Sequence, residues 1–295
     1  YLALFLAAAA AITVIIISYA YSKIIEHFPF GGGGYIVATH MLGKNAGVVS
    51  GCALIVDYIF TITVSIASCV DALFSYLPME YHRFKVITAS ALIILLIALN
   101  IRGVKESIAV LAPIFIIFLI THAVMLGYGI FSHIGGLKVV ENNFHNDFSS
   151  DISAIGGMGI FIILLRAYSL GGGTYTGIEA VSNGLQIMRE PKVQTGKRTM
   201  LYMATSLALT AGGLFLCYLL LDVKPVSGRT LNAILADGLF GKWHFGQWIA
   251  LMTILSEGAL LMVAAQAGFI DAPRVMANMA VDSWLPHQCA SFSER

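Results

Sequence analysis

Four residues of one apolar stretch carry side chains that could bind a cation: Asp57, Tyr58, Thr61 and Ser65. Asp57, Thr61 and Ser65 recur every four residues, so a helix would place them on one face. Oxygen ligands on one face, with a carboxylate at one end, suit a hard cation. The two hydroxyls alone would more often hydrogen-bond to a neighbouring membrane helix. With Asp57 beside them, we interpret the group as a cation- or substrate-binding site.

A second carboxylate, Glu179, follows a cluster of glycines in another apolar stretch. The glycines are Gly171, Gly172, Gly173 and Gly177. Each destabilises a helix interior by about 1 kcal/mol relative to alanine, so we predict that 171–177 is non-helical between two helical halves. A carboxylate beside a broken membrane helix is typical of transporter sites. The alternative is a glycine-rich packing face with Glu179 near a water interface.

Two further charged residues lie within predicted spans. Arg166 precedes the glycine cluster, and Glu257 lies near the middle of the last apolar stretch. Charged groups at this depth need a partner or a function. Glu257 could carry a proton or pair with Arg166, and the sequence leaves both alternatives open.

The composition is that of a polytopic membrane protein. Hydrophobic residues make up 58% of the chain and charged residues 11%, with a mean hydropathy of +0.84, whereas a soluble domain carries about 25% charged residues. The net charge of +1 argues against a nucleic-acid partner. The sequence contains no nucleophile–base pair that would indicate an enzyme and no metal-type cysteine spacing that would indicate a bound cofactor. The expected partners are the lipid bilayer and a small cargo, and a homodimer is an open alternative.

Apolar stretches long enough to cross a membrane need about 20 residues each. Seven are predicted, at 1–24, 46–77, 85–101, 108–132, 157–187, 198–221 and 247–272, with the glycine break inside 157–187. A second glycine stretch, 30–42, is too short to cross and suits a re-entrant or interfacial helix, with an ordinary loop as the alternative. The polar stretches 133–155 and 222–246 are predicted to be loops. The connections on the opposite side of the membrane carry ten lysine and arginine residues, and those on the side of these two loops carry six. Because positive residues concentrate on the cytoplasmic side, these loops are predicted to be external.

The ends of the chain predict a fragment. The sequence opens at Tyr1 inside an apolar run and stops at Arg295 just beyond a polar stretch. We therefore expect one transmembrane domain, 1–295, that is part of a longer multi-pass protein of a bacterial inner membrane.

Four motifs, taken in order, resemble the amino acid–polyamine–organocation (APC) superfamily, and within it the bacterial KUP-type potassium importers. The motifs are Phe28–Tyr35, Val56-Asp57-Tyr58 with Thr61 and Ser65, Asn100–Gly103, and Thr176–Asn183. The resemblance implies an all-α, LeuT-type inverted repeat of five plus five helices, of which this chain covers spans two to eight. It also implies ion binding by Asp57, Tyr58, Thr61, Ser65, Thr176 and Glu179. The family's first span and soluble C-terminal domain are absent here, so the fragment should not transport by itself.

Three functions follow as hypotheses. The first is proton-coupled potassium import by alternating access, in which Asp57 and Glu179 share one cavity and either neutralise a cation or carry a proton. The second is an amino acid or amine permease of the same fold, in which N–H groups at the glycine break would bind a substrate carboxylate. The carboxylates of Asp57 and Glu179 would repel the substrate carboxylate. A cationic amine substrate would meet no such repulsion. The third is an uncoupled channel-like or receptor protein, against which the broken span argues.

Overall fold

The computed structural model describes residues 2–29, 33–102, 108–171, 176–185 and 188–290, and for 108–111 and 176 it describes the backbone only. Within these ranges the regular structure is helical. The α-helices are α1 (Leu2–His27), α2 (Gly33–Leu42), α3 (Lys44–Phe74), α4 (Lys85–Ile101), α5 (Ile108–His133), α6 (Leu137–Leu170), α7 (Thr176–Asn183), α8 (Lys192–Leu220), α9 (Leu231–Phe240) and α10 (Gly246–Val281). Short 3-10 turns occupy Met79–Phe84, Ile134–Gly136 and His287–Ala290.

Six helical stretches of the described chain are long and apolar enough to cross a membrane. They are Leu2–His27, Lys44–Phe74, Met79–Ile101, Ala112–Leu170, Lys192–Leu220 and Gly246–Val281. Seven were predicted, and the count differs because only a single 3-10 turn separates α5 from α6, so both fall in one 59-residue stretch. Large apolar side chains such as Ile12 and Ile16 of α1 point outward. Lipid accommodates such surfaces and water does not, as expected of a multi-pass membrane protein.

The helices α3 and α10 form the central pair of the fold. The helix α10 also packs on α5 and α9, α1 packs on α8, and α2 lies against α3. Gly268 lets α10 approach α3 closely, since a Cβ there would lie 3.1 Å from the carbonyl oxygen of Tyr58 and 2.7 Å from Cγ1 of Ile62. Small residues allow this kind of close approach between membrane helices. The packing therefore holds the Tyr58 segment of α3 against α10.

The prediction of a loop at 133–155 was wrong. A 3-10 turn covers Ile134–Gly136, and α6 then runs from Leu137 to Leu170, with a kink at Gly156, where φ is +69°. The prediction rested on the many Asn, Asp, His and Ser residues of this stretch. Polar composition argues against crossing lipid, but it does not prevent the backbone from forming its own helical hydrogen bonds.

The glycine cluster lies between two helices, but one of its members is inside the second helix. The helix α6 ends at Leu170 with Gly171 as its C-terminal cap, and α7 begins at Thr176. Gly172 and Gly173 lie outside the described residues. Gly177 is inside α7, so its assignment to the non-helical segment was wrong. A single glycine is tolerated there because its modest loss of helix stability is offset when neighbouring side chains of α7 are buried.

Two other boundaries differ from the predicted ones. The predicted loop 222–246 contains the helix α9, whose first turn is capped by Thr230 Oγ1 accepting a hydrogen bond from the Ala233 N–H at 3.3 Å. The last span continues beyond 272, through Pro273, to Val281. A proline is tolerated inside a membrane helix where neighbouring groups satisfy the freed carbonyl. Asp271 therefore lies well inside the helix.

Candidate functional site

Glu179 lies in the first turn of α7, and only 7% of its surface is exposed. One side of α7 is apolar: Ile178 and Val181 join a core cluster with residues of α1 and α8. Asn183 follows Glu179 by one helical turn, so the two polar side chains share another side of α7. The helix dipole favours a negative charge at this end of a helix. The amphipathic pattern of α7 thus directs a buried carboxylate away from the apolar core.

The N-terminus of α2 contacts this side of α7. The N–H of Gly34 donates a hydrogen bond to Glu179 Oε1 at 3.1 Å. Gly33 has φ +54°, and a Cβ there would overlap Asn183 Oδ1 and come within 3.0 Å of Glu179 Oε1. Only glycine combines this backbone conformation with so close an approach. The second glycine stretch therefore leads into a helix that binds the carboxylate through its backbone.

Tyr58 connects α7 to α3. Asn183 Nδ2 donates a hydrogen bond to Tyr58 Oη at 3.0 Å, and Tyr58 is only 2% exposed. Tyr58 also packs against Tyr35 of α2 and against Val275 and Met279 of α10. Tyr58, one of the predicted site residues, is therefore held by contacts with three other helices, and it interacts electrostatically with Glu179.

Two more carboxylates act on Glu179. Asp57, the residue before Tyr58, interacts electrostatically with Glu179 and with Tyr21 of α1. Asp271 of α10, only 4% exposed, interacts electrostatically with Glu179 and Tyr58. The structure thus brings the two predicted carboxylates into one electrostatic environment and adds a third.

Asp271 and Asn183 are the site residues that sequence reasoning missed. Asp271 was overlooked although it lies inside the predicted span 247–272, where a carboxylate was itself an available signal. Asp271 Oδ1 lies 3.5 Å from Nη1 of Arg274, one turn later. Asn183 belongs to the same motif as Glu179, and its i+4 spacing was the usable signal.

The structure gives less information on the predicted neutral oxygen ligands than on the carboxylates. Thr61 and Ser65 follow Asp57 along α3, and both are partly buried. Thr61 Oγ1 is buried without a hydrogen-bond partner among the described residues. Thr176 begins α7, but the position of its side chain lies outside the described part of the structure. The Thr61 hydroxyl therefore has unused capacity to bind a ligand.

Of the two alternatives left open for Glu257, pairing with Arg166 is not the one that the structure shows. Arg166 is exposed on α6. Glu257 Oε1 accepts a hydrogen bond from Asn232 Nδ2 at 2.8 Å, and its Oε2 lies 4.0 Å from Nε2 of His122. Glu257 therefore belongs to a separate polar cluster between α5, α9 and α10.

The site is suited to a monovalent cation or a proton. No group of three or more His, Cys, Asp or Glu side chains with metal-binding geometry occurs among the residues described. Instead, Glu179 of α7 interacts electrostatically with Asp57 of α3 and Asp271 of α10, and the phenols of Tyr21 and Tyr58 share this environment. Such an arrangement concentrates negative charge in a poorly hydrated space, where a bound positive charge is stabilised.

A buried carboxylate between the ends of two helices is how many secondary transporters build their sites, and these features indicate a membrane transport protein. Residues 1–295 match the amino acid permease family, and the chain belongs to that family. It is similar to the potassium transporter KimA of Bacillus subtilis (strain 168), with 30% identity over 276 residues, which covers 94% of this chain and 44% of that protein. The chain thus spans less than half the length of this relative.

These comparisons confirm the predicted superfamily, the predicted fold class, the predicted membrane location and the prediction of a transporter and not an enzyme. The chain is a member of the APC superfamily with a likeness to the potassium importers within it. Membership implies the LeuT-type fold and a multi-pass location in the cell membrane, in agreement with the all-helical structure of the described residues.

Proposed function

We propose that the protein to which this chain belongs imports potassium by alternating access and couples that import to protons. The observation that carries the proposal is the environment of Glu179, which is buried in the first turn of α7 and interacts electrostatically with Asp57. Two carboxylates in one poorly hydrated environment are stable together only if a cation or a proton offsets their charge. The similarity to the potassium transporter KimA supports potassium as that cation.

Neutral oxygens would complete the ion site. Thr61 Oγ1 is buried without a hydrogen-bond partner among the described residues, so a cation would supply an interaction that packing leaves unmade. Tyr58 Oη accepts a hydrogen bond from Asn183, which holds the phenol in place and leaves a second lone pair. Ser65 and Thr176 remain proposed ligands. A large, weakly hydrated cation can exchange water for such hydroxyl oxygens.

Coupling would arise from joint occupation of the two carboxylates. Burial favours the protonated form of Glu179, and an ionised Asp57 can balance the charge of potassium. With one proton and one potassium ion bound, the two carboxylates carry no net charge. If the pair changes its access to the two sides of the membrane only when both ions are bound or both are absent, proton and potassium move inward together.

An amino acid or amine permease is the second candidate, because the matching family is named for amino acid permeases. The carboxylates Asp57, Glu179 and Asp271 would repel the carboxylate of an amino acid. A cationic amine carries no such group and fits the same negative environment. The two candidates therefore differ in whether the positive charge belongs to a bare ion or to an organic molecule.

Uptake by the full-length protein in cells that lack their own potassium uptake tests the proposal. We expect potassium uptake that is driven by an inward proton gradient and is unchanged by excess amino acids or amines. Vector-only cells are the control. Uptake of a labelled amine or amino acid without potassium uptake would replace potassium import by the permease function.

A further inference from the structure

A second buried titratable cluster lies apart from the proposed ion site. It joins Glu257 of α10 to His122 of α5, Asn232 of α9 and Tyr218 of α8. Glu257 lies fourteen residues before Asp271 on α10, roughly 21 Å along a helix axis. The cluster therefore belongs to a different depth of the membrane from the ion site.

The hydrogen bonds in this cluster define which atoms carry protons. His122 is 2% exposed, and its Nδ1 lies 3.0 Å from the carbonyl oxygen of Phe118. A carbonyl can only accept, so Nδ1 carries the proton and Nε2 of a neutral ring has a lone pair. Nε2 lies 4.0 Å from Glu257 Oε2. Asn232 already donates to the other carboxylate oxygen, Oε1.

Glu257 Oε2 is buried and has no hydrogen-bond partner among the described residues. Two lone-pair atoms, Oε2 and His122 Nε2, thus face each other with no hydrogen between them. Such a pair is unfavourable in a buried site, and one added proton turns it into a strong hydrogen bond or ion pair. The side chain of Glu257 retains 18% exposure, so the pair is not fully sealed.

We propose that Glu257 and His122 form a proton-binding site, separate from the ion site, in which a single proton joins α5 to α10. The proton comes from water, forms an O–H or N–H bond on one partner and is accepted by the other. The charge of the pair changes from −1 to zero. Because Asn232 holds Glu257 to α9 and accepts a hydrogen bond from Tyr218, proton binding also bears on the contacts of α8 and α9.

Other titratable groups lie near Glu257 and His122 or on the helices packed against them. Tyr218 interacts electrostatically with Glu257, and Asp237 of α9 is paired with Arg229 and Tyr76. The packed helices also carry the thiols of Cys69 on α3 and Cys217 on α8, and Asp71 on α3, which is paired with Lys85. Glu257 and His122 are the pair whose facing atoms leave room for a proton.

Infrared difference spectroscopy of the purified full-length protein during a pH titration, without any cargo, tests this site. We expect a protonation step at a carboxyl or imidazole band that is lost in Glu257→Gln. The amide of His122→Asn can still donate to the Phe118 carbonyl. In this variant the pH midpoint of the protonation step should be lower by about one unit or more, because the acceptor of the shared proton is gone. His133→Asn is the matched control: it lies on the same helix with its Nδ1 3.1 Å from the Gly129 carbonyl oxygen.

The outcomes separate this proposal from the proposed function. A spectrum of Glu257→Gln that keeps every wild-type titration step would overturn the site, as would a midpoint in His122→Asn equal to that of His133→Asn. If Glu257→Gln does not fold, His122→Asn decides alone. Because no cargo is present, failure here leaves potassium import untouched, and failure of potassium uptake leaves this site untouched.

Discussion

The backbone N–H of Gly34 donates a hydrogen bond to the carboxylate of Glu179 across 3.1 Å, so the start of α2 is bound to the start of α7. Both helices present their N-terminal ends to the same negative charge, where free N–H groups and helix dipoles stabilise it. A residue that a hydrophobic span would normally exclude is held in this way by two short helices. The consequences for stability and ion binding can be tested position by position.

Substituting Gly33 should disturb the contact between α2 and α7. In Gly33→Ala the new Cβ overlaps Asn183 Oδ1, and alanine at φ +54° adds about 1–2 kcal/mol of backbone strain. Gly43→Ala is the matched control, because φ there is +98° but nothing lies within 4 Å of the added Cβ. We expect a larger drop in the Tm of the purified full-length protein for Gly33→Ala than for Gly43→Ala. Equal Tm values would show that the close approach contributes nothing.

Removing the Tyr58 hydroxyl should expose the role of its contact with Asn183. Tyr58→Phe leaves the Asn183 amide without its buried partner, which should lower the free energy of unfolding by about 1–3 kcal/mol. It should also weaken potassium binding, since one proposed oxygen ligand is lost. Tyr202→Phe, on the exposed side of α8, is the control and should change stability by less than about 0.5 kcal/mol. Denaturant unfolding and potassium titration of both variants measure these effects.

Neutralising either predicted carboxylate should impair potassium uptake. Asp57→Asn and Glu179→Gln each remove a charge that would balance the ion, and we expect uptake by the full-length protein to fall about tenfold or more, equivalent to at least about 1.4 kcal/mol. Asp71→Asn is the control: Asp71 is exposed and pairs with Lys85 at 2.8 Å, and such surface pairs contribute little. Full uptake in both site variants, with normal amounts of protein in the membrane, would contradict the proposed ion site.

Asp271 and Arg274 should affect the ion site in opposite directions. Asp271 interacts electrostatically with Glu179, and Arg274 lies 3.5 Å from Asp271 and offsets part of its charge. Asp271→Asn should raise the Kd for potassium several-fold, and Arg274→Gln should lower it, because the local negative potential decreases in the first variant and increases in the second. Potassium titration of the purified full-length protein measures both values. Shifts in the same direction would mean that the pair acts through structure and not through charge.

Most of the membrane segments could be predicted from the sequence, because crossing lipid demands a long apolar helix and that demand is local. The stretches 46–77 and 85–101, for example, correspond to α3 and α4. The polar stretch 133–155 could not be assigned in the same way. Its residues exclude a lipid-crossing segment, yet nothing local separates a polar helix from a polar loop, and the structure shows a helix.

The candidate site was predictable only in part. Asp57, Tyr58 and Glu179 stand out from the sequence alone, since carboxylates and a hydroxyl-bearing face inside apolar spans are conspicuous. Asp271 also lies within a predicted span, but its place beside Glu179 depends on how α10 packs against α7.

What the sequence determined by itself was therefore the chemistry: which charged groups enter the membrane, and where glycine interrupts a span. Only the tertiary structure decided the partners. Gly34 meets Glu179 across 145 residues of chain, Asn183 meets Tyr58 across 125, and Glu257 faces His122 and not Arg166. Local propensity acts over a few residues, whereas these contacts depend on how separate helices pack, and only that packing brings their polar groups within hydrogen-bonding distance.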